Sequence, residues 1–195
     1  FHSRFNRVVA VIVWLVCLVA MTAVLIAGVS KHWEYLPALV LVAFFAWVGL
    51  WRPSVEVSDE AVQLVNVLST VTIPWPAIIQ VDTKFALTIV TPQGKFAATA
   101  APAPSRLTTV LSRRDVGRAK AQLGTDGRIK PGDLPNTDSG AAAILIRERW
   151  EQLKREDRIE IGIADETKAS IRWHIVTMVV GGLLLAATVA SLAYG

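Results

Sequence analysis

The chain has 195 residues, 53% of them hydrophobic and 18% charged, with a formal net charge of +4. Soluble domains average about 45–50% apolar and about 25% charged, so both measures shift this chain toward the bilayer. Residues 8–30, 35–51 and 173–195 contain no Lys, Arg, Asp or Glu, which excludes an ordinary soluble globule, a disulfide scaffold and a disordered tail.

Crossing a hydrocarbon core of about 30 Å takes about 20 apolar helical residues. Residues 8–30 meet that length. They exceed the apolar core of about 7–15 residues in a cleaved signal peptide, so a retained helix is expected. The sequence opens on Phe1 rather than a methionine, so residues before it are expected. Residues 31–34 leave room only for a tight helical turn. The shorter run, 35–51, is expected as the second arm of a hairpin, anchored by Trp33 and Tyr35 at one interface and by Trp51 at the other. Pro37 falls in its first turn, where a missing N–H costs little.

From Val55 to Ala101 the pattern reads as β. Ser54-Val55-Glu56-Val57 alternates and breaks at Ser58-Asp59-Glu60. Strands are expected over 61–68, 70–73, 78–82 and 86–90, with Thr91-Pro92-Gln93-Gly94 turning into 95–99. Short strands at this spacing predict a small antiparallel sandwich or barrel. Pro74 and Pro76 flank Trp75 and belong at a strand end, because proline cannot donate to a central ladder.

The segment Ile73-Pro74-Trp75-Pro76-Ala77-Ile78-Ile79-Gln80-Val81, with Arg52-Pro53-Ser54-Val55-Glu56-Val57 before it and a strand–turn–strand closing at Pro104 after it, resembles the bacterial pleckstrin-homology-like (PH-like) domain family. The spacing of Ile73, Pro74, Trp75, Ile78 and Val81 is its most distinctive part. The resemblance covers about fifty residues, and the preceding helical hairpin fits the family's small membrane-anchored members. It implies two bent antiparallel sheets capped by a helix, here expected at 107–123. Eukaryotic relatives often bind phosphoinositides through basic residues near the first strand turn. This chain has Glu56, Asp59 and Glu60 there, the wrong sign for a phosphate cradle.

Residues 125–140 hold three Gly, two Pro, three Asp and an Asn and read as a linker. A helix is expected over 141–159, with Ile146, Trp150 and Leu153 on one stripe and Arg147, Lys154 and Arg155 among its charges. Two readings stand for it: a membrane-surface helix on anionic lipid, or a helix packed on the domain or a partner. The last run, 173–195, opens on Trp173, an interfacial anchor, and carries Gly182, Ala186 and Ala190 at four-residue spacing. That rhythm suits close helix packing, against the hairpin or a foreign subunit, although Gly and Ala are also simply common in such helices.

The expected architecture is therefore an α+β membrane protein: three transmembrane helices and a small antiparallel PH-like β-sandwich or barrel with flanking helices. Its segments are 1–51, 52–124, 125–140, 141–172 and 173–195. Arg4, Arg7, Arg52, Lys168 and Arg172 fall on one side of the helices and Lys31 on the other, which predicts a cytoplasmic N-terminus and domain in a bacterial inner membrane, with the C-terminus outside.

Residues 52–172 contain neither His nor Cys; the histidines are His2, His32 and His174, and the one cysteine is Cys17. That removes His-dependent acid–base chemistry, thiol nucleophiles and Cys/His zinc sites from the domain. No glycine-rich phosphate motif appears. His174 beside Trp173 reads as an interfacial polar residue rather than a haem or quinone contact. The 17 Lys and Arg of 52–172 against 15 Asp and Glu are too balanced for a nucleic-acid face. No catalytic, metal or cofactor residue and no small-molecule substrate is expected. The partners expected are bilayer lipids and other integral membrane proteins, with the chain as an accessory subunit; the alternative is a stand-alone lipid sensor.

Overall fold

The computed structural model describes residues 1–83, 86–102, 137–159, 164 and 166–194. The expected cap helix at 107–123 and most of the linker lie outside them. The chain divides into two compact units.

One unit holds Arg4–Pro53, Val67–Ser69 and Trp173–Gly195. Its helices are α1 (Arg4–Ala27), α2 (Val29–His32), α3 (Leu36–Ala46) and, after the domain, α5 (Ile175–Tyr194). The first uncharged run is not one continuous helix. It breaks at Gly28, whose φ of 101° is a conformation that costs glycine little and a side-chain-bearing residue much more. A 3₁₀ turn, Trp33–Tyr35, leads into α3, with Pro37 in its first turn as expected. Beyond Ala46 the helix widens into a π turn, Trp47–Trp51. Among the described residues, three stretches are long and apolar enough to cross a membrane: Arg4–Ala27, Trp33–Trp51 and Ile175–Tyr194.

Helix α3 packs against both α1 and α5. Toward α1, the Trp14 indole N–H donates to the Ala43 carbonyl at 3.1 Å, and the Trp14 and Trp51 rings lie 5.1 Å apart. On α5, the buried residues are Gly181, Thr188 and Ser191. A Cβ on Gly181 would stand 3.4 Å from the Phe44 ring, so glycine there lets the two helices approach closely. Ser191 Oγ donates to the Glu34 carbonyl at 3.0 Å. Gly182, Ala186 and Ala190 are all exposed. The stripe singled out from spacing is therefore not the face that meets the hairpin; Gly181, Thr188 and Ser191 centre roughly 170° around the helix from the middle of that stripe.

The other unit holds Phe1–Ser3, Ser54–Asn66 and Thr70–Arg172. Strands β1 (Ser54–Val57), β2 (Ala61–Val65), β3 (Ser69–Pro74) and β7 (Ser170–Trp173) form one sheet in that order. Strands β4 (Gln80–Asp82), β5 (Ala86–Thr91) and β6 (Gly94–Pro102) form a second. The β1–β2, β2–β3, β4–β5 and β5–β6 pairs are antiparallel, with Val55 opposite Leu64 and Val62 opposite Ile73. Ser58 closes the β1–β2 turn, its hydroxyl donating to the Ala61 carbonyl at 2.8 Å. Asn66 ties the sheets together: its side-chain amide donates to the Ala97 carbonyl at 3.0 Å and accepts from the Thr99 N–H at 2.7 Å.

Alternation sends Val55, Val62, Leu64, Val71, Ile73, Leu87 and Ile89 into one core. Helix α4 (Asp138–Arg155) covers it with Ala142, Ala143, Ile146 and Leu153, a spacing that places one helical stripe inward. The helix starts earlier than expected because Thr137 caps it, its hydroxyl accepting from the Gly140 N–H at 3.0 Å. Residues 141–159 thus belong to the same unit as the sheets and not to a separate segment. Strand β7 was expected only as connector and the start of the last helix. Its last residue is Trp173, and α5 begins at Ile175.

Candidate functional site

The motif residues come together inside the β-domain. Ile73, Trp75, Ile78 and Val81 are all buried, and Pro74 ends β3 where the chain enters the 3₁₀ turn Trp75–Ala77. The Trp75 indole N–H, which needs an acceptor when buried, donates to the Ser58 carbonyl at 3.0 Å. These residues are structural: they join the end of β3 to β4 through the core and present no open side chain for a ligand.

Helix α4 decides between the two readings of its apolar stripe in favour of packing on the domain. Ile146 and Leu153 are fully buried in the domain core and Trp150 packs against it, so the apolar stripe is not available to a membrane surface. Burial of that stripe against the sheets replaces the contact it would have made with lipid. Its charges are engaged as well. Arg147 donates to the Val81 carbonyl at 3.0 Å. Lys154 sits 3.7 Å from the Trp150 ring centroid and 3.3 Å from Glu151, a cation–π arrangement that keeps the ammonium on its own helix. Arg155 is exposed.

Sequence reasoning missed the acidic turn's partners. Asp59 receives Arg149 through one carboxylate oxygen and Arg158 at 3.3 Å through the other. The hydrogen bonds from Arg149 and then Arg158 hold its carboxyl below the usual carboxylate range. The first strand turn is thus a clamp between β1–β2 and the end of α4. No local signal marks it, since the partners are about ninety residues apart in the chain.

In the helical unit, the expected anchors are placed at the ends of the spans. Trp33 and Tyr35 are exposed in the 3₁₀ turn, and Trp173 is exposed at the end of β7. Trp51 lies beneath Arg7, whose guanidinium carbon is 5.1 Å from the ring centroid. His174 donates its backbone N–H to the Leu68 carbonyl at 2.9 Å, and its Nδ1 lies 3.5 Å from the Val67 carbonyl. Among the described residues no group of three or more His, Cys, Asp or Glu is arranged to hold a metal ion.

Two antiparallel sheets wrapped around one core define the class of the domain. Residues 52–130 match the family model described as a bacterial PH domain. The chain therefore carries a bacterial PH-like domain, accompanied among the described residues by three helices apolar enough to span a membrane. Helix α4 and β7 lie beyond the matched segment; α4 completes the core from outside the family pattern, and β7 extends the first sheet with exposed residues. No curated protein and no solved structure matches the chain.

Proposed function

We propose that this chain is a non-catalytic integral membrane protein that acts as an accessory subunit, stabilising or assembling a larger membrane complex through its helices and its PH-like domain. The observation that carries this reading is the outward face of α5. Gly182, Ala186 and Ala190 remain exposed after the hairpin has packed against the same helix, and small residues in that rhythm accept a neighbouring backbone. A respiratory or other energy-transducing assembly is one class of host. The reading as a stand-alone lipid sensor has less support, because the helix that would have lain on the bilayer is committed to the domain core.

Purification through a tag on this chain in mild detergent, followed by mass spectrometry, is expected to recover a stoichiometric set of larger membrane proteins. Ala186→Phe and Ala190→Phe, both on exposed positions, should weaken that recovery. Recovery of the 21.2 kDa chain alone, or only as its own oligomer, sinks the accessory reading.

The orientation proposed with it follows the excess of Lys and Arg at one set of helix ends, placing the N-terminus and the domain in the cytoplasm. In a Cys17→Ser background, Tyr194→Cys is expected to react with an impermeant thiol reagent in intact cells and Glu60→Cys only after lysis. The opposite labelling pattern reverses the topology.

A further inference from the structure

The helical unit carries a groove of about 290 Å³ along α3 and α5, with Phe44, Phe45, Val48, Leu68, Gly182 and Leu185 among its lining residues. Thr177 supplies its one side-chain hydroxyl, and that oxygen already accepts from Arg52 Nη1 at 2.8 Å. A wall this apolar lacks the two to four polar partners that hold a water. With these helices in a bilayer, the groove takes an apolar occupant. At Gly182 the groove has room for a side chain, since a Cβ there meets nothing within 4 Å.

The charge at the groove's Thr177 end narrows the choice of occupant. Arg52 stacks with its guanidinium carbon 5.7 Å from the Trp47 ring centroid. Among the described residues, Thr177 is the only hydrogen-bond partner of that guanidinium, which has five N–H donors. At the same end of the hairpin, the Nε of Arg7 is buried without a hydrogen-bond partner among the described residues. No Asp or Glu occurs within residues 1–33 or 35–55 to neutralise these arginines. A molecule that joins a phosphate to an apolar chain satisfies both halves of this arrangement. A partner helix would fill the groove with side chains and leave the arginine donors unmatched.

We propose that this groove holds an acyl chain of one anionic phospholipid whose phosphate is bound by Arg52, with Arg7 adding to the positive field at the same end. Arginine suits the role because its planar fork pairs with phosphate through two parallel hydrogen bonds. The inference does not depend on the accessory-subunit reading; the two share Gly182, while Ala186 and Ala190 belong to the stripe alone and Leu185 to the groove alone.

The test uses the full chain reconstituted in nanodiscs of equimolar phosphatidylglycerol and phosphatidylcholine, then exchanged into mild detergent, with retained lipid counted by mass spectrometry. Wild-type protein is expected to keep phosphatidylglycerol over phosphatidylcholine by about tenfold, because both carry the phosphate but the choline ammonium offsets its charge before the arginines, a difference on the order of one charge-assisted contact. Arg52→Gln should bring that ratio close to parity. Gly182→Phe should abolish retention of both lipids, and Leu185→Trp, which fills the groove from an exposed position outside the small-residue stripe, should do the same if Gly182→Phe does not fold. Ala190→Phe should leave retention unchanged. Wild-type protein that keeps no lipid, equal retention of the two lipids, or a folded groove-filling variant that retains lipid like wild type each overturns the proposal. So does crosslinking that finds a protein segment in the groove in place of lipid.

Discussion

Replacing Trp75 with alanine is expected to destabilise the PH-like domain by about 3–5 kcal/mol, the range for removing a large aromatic from a packed core. Trp75 is 2% exposed and is the largest fully buried side chain in the molecule's described residues. The loss has two parts. Most of it is the cavity left in the shared apolar core of the two sheets and α4. The rest is the Ser58 carbonyl, which loses its indole donor at the tip of the β1–β2 turn. Trp75→Phe separates the two, because it retains most of the ring volume and gives up the hydrogen bond, worth about 1 kcal/mol. Denaturant unfolding of the full chain in detergent, followed by near-ultraviolet circular dichroism, reads both variants. An unchanged midpoint for Trp75→Ala would move this residue from the core to an interaction surface.

The second large effect belongs to α4. Ile146→Ala is expected to cost about 2–5 kcal/mol, as for other buried aliphatic truncations, and to release the helix from the sheets. Ile146 is fully buried, whereas its neighbour Leu145 is 48% exposed. Leu145→Ala should therefore change stability by no more than about 0.5 kcal/mol. Limited proteolysis of the two variants gives the contrast directly: Ile146→Ala opens cleavage within Asp138–Arg155, and Leu145→Ala does not. Equal protection of both variants would mean that the helix is held by its polar contacts, Arg147 to the Val81 carbonyl and Arg149 to Asp59, rather than by its apolar stripe. Helix α4 lies outside the segment that matches the family, so the stability of this domain rests partly on residues the family pattern does not contain.

The lengths of the uncharged runs, the strand alternation and the buried motif around Trp75 were legible in the sequence, because each is a local property. Bilayer-length helices need only a count of apolar residues, and a half-buried strand declares itself by period two. Ile73, Trp75, Ile78 and Val81 point inward because the chain passes from strand through a proline-flanked turn to strand within ten residues. What lay beyond the sequence was the identity of each covering surface. The stripe on α4 was visible, but periodicity is the same whether lipid, a partner or the chain's own sheets cover it. Only the fold shows that Ile146 and Leu153 close the β core. On α5, Gly181 and Gly182 are equivalent as letters, and the position of Phe44 decides which one is the packing glycine. The Asp59 clamp and the placement of β7 beside β3 likewise join residues about ninety or more positions apart. Sequence determined the elements and their apolar faces, since those depend on neighbours within a few residues. Tertiary structure decided which faces meet, since that depends on partners brought together by folding.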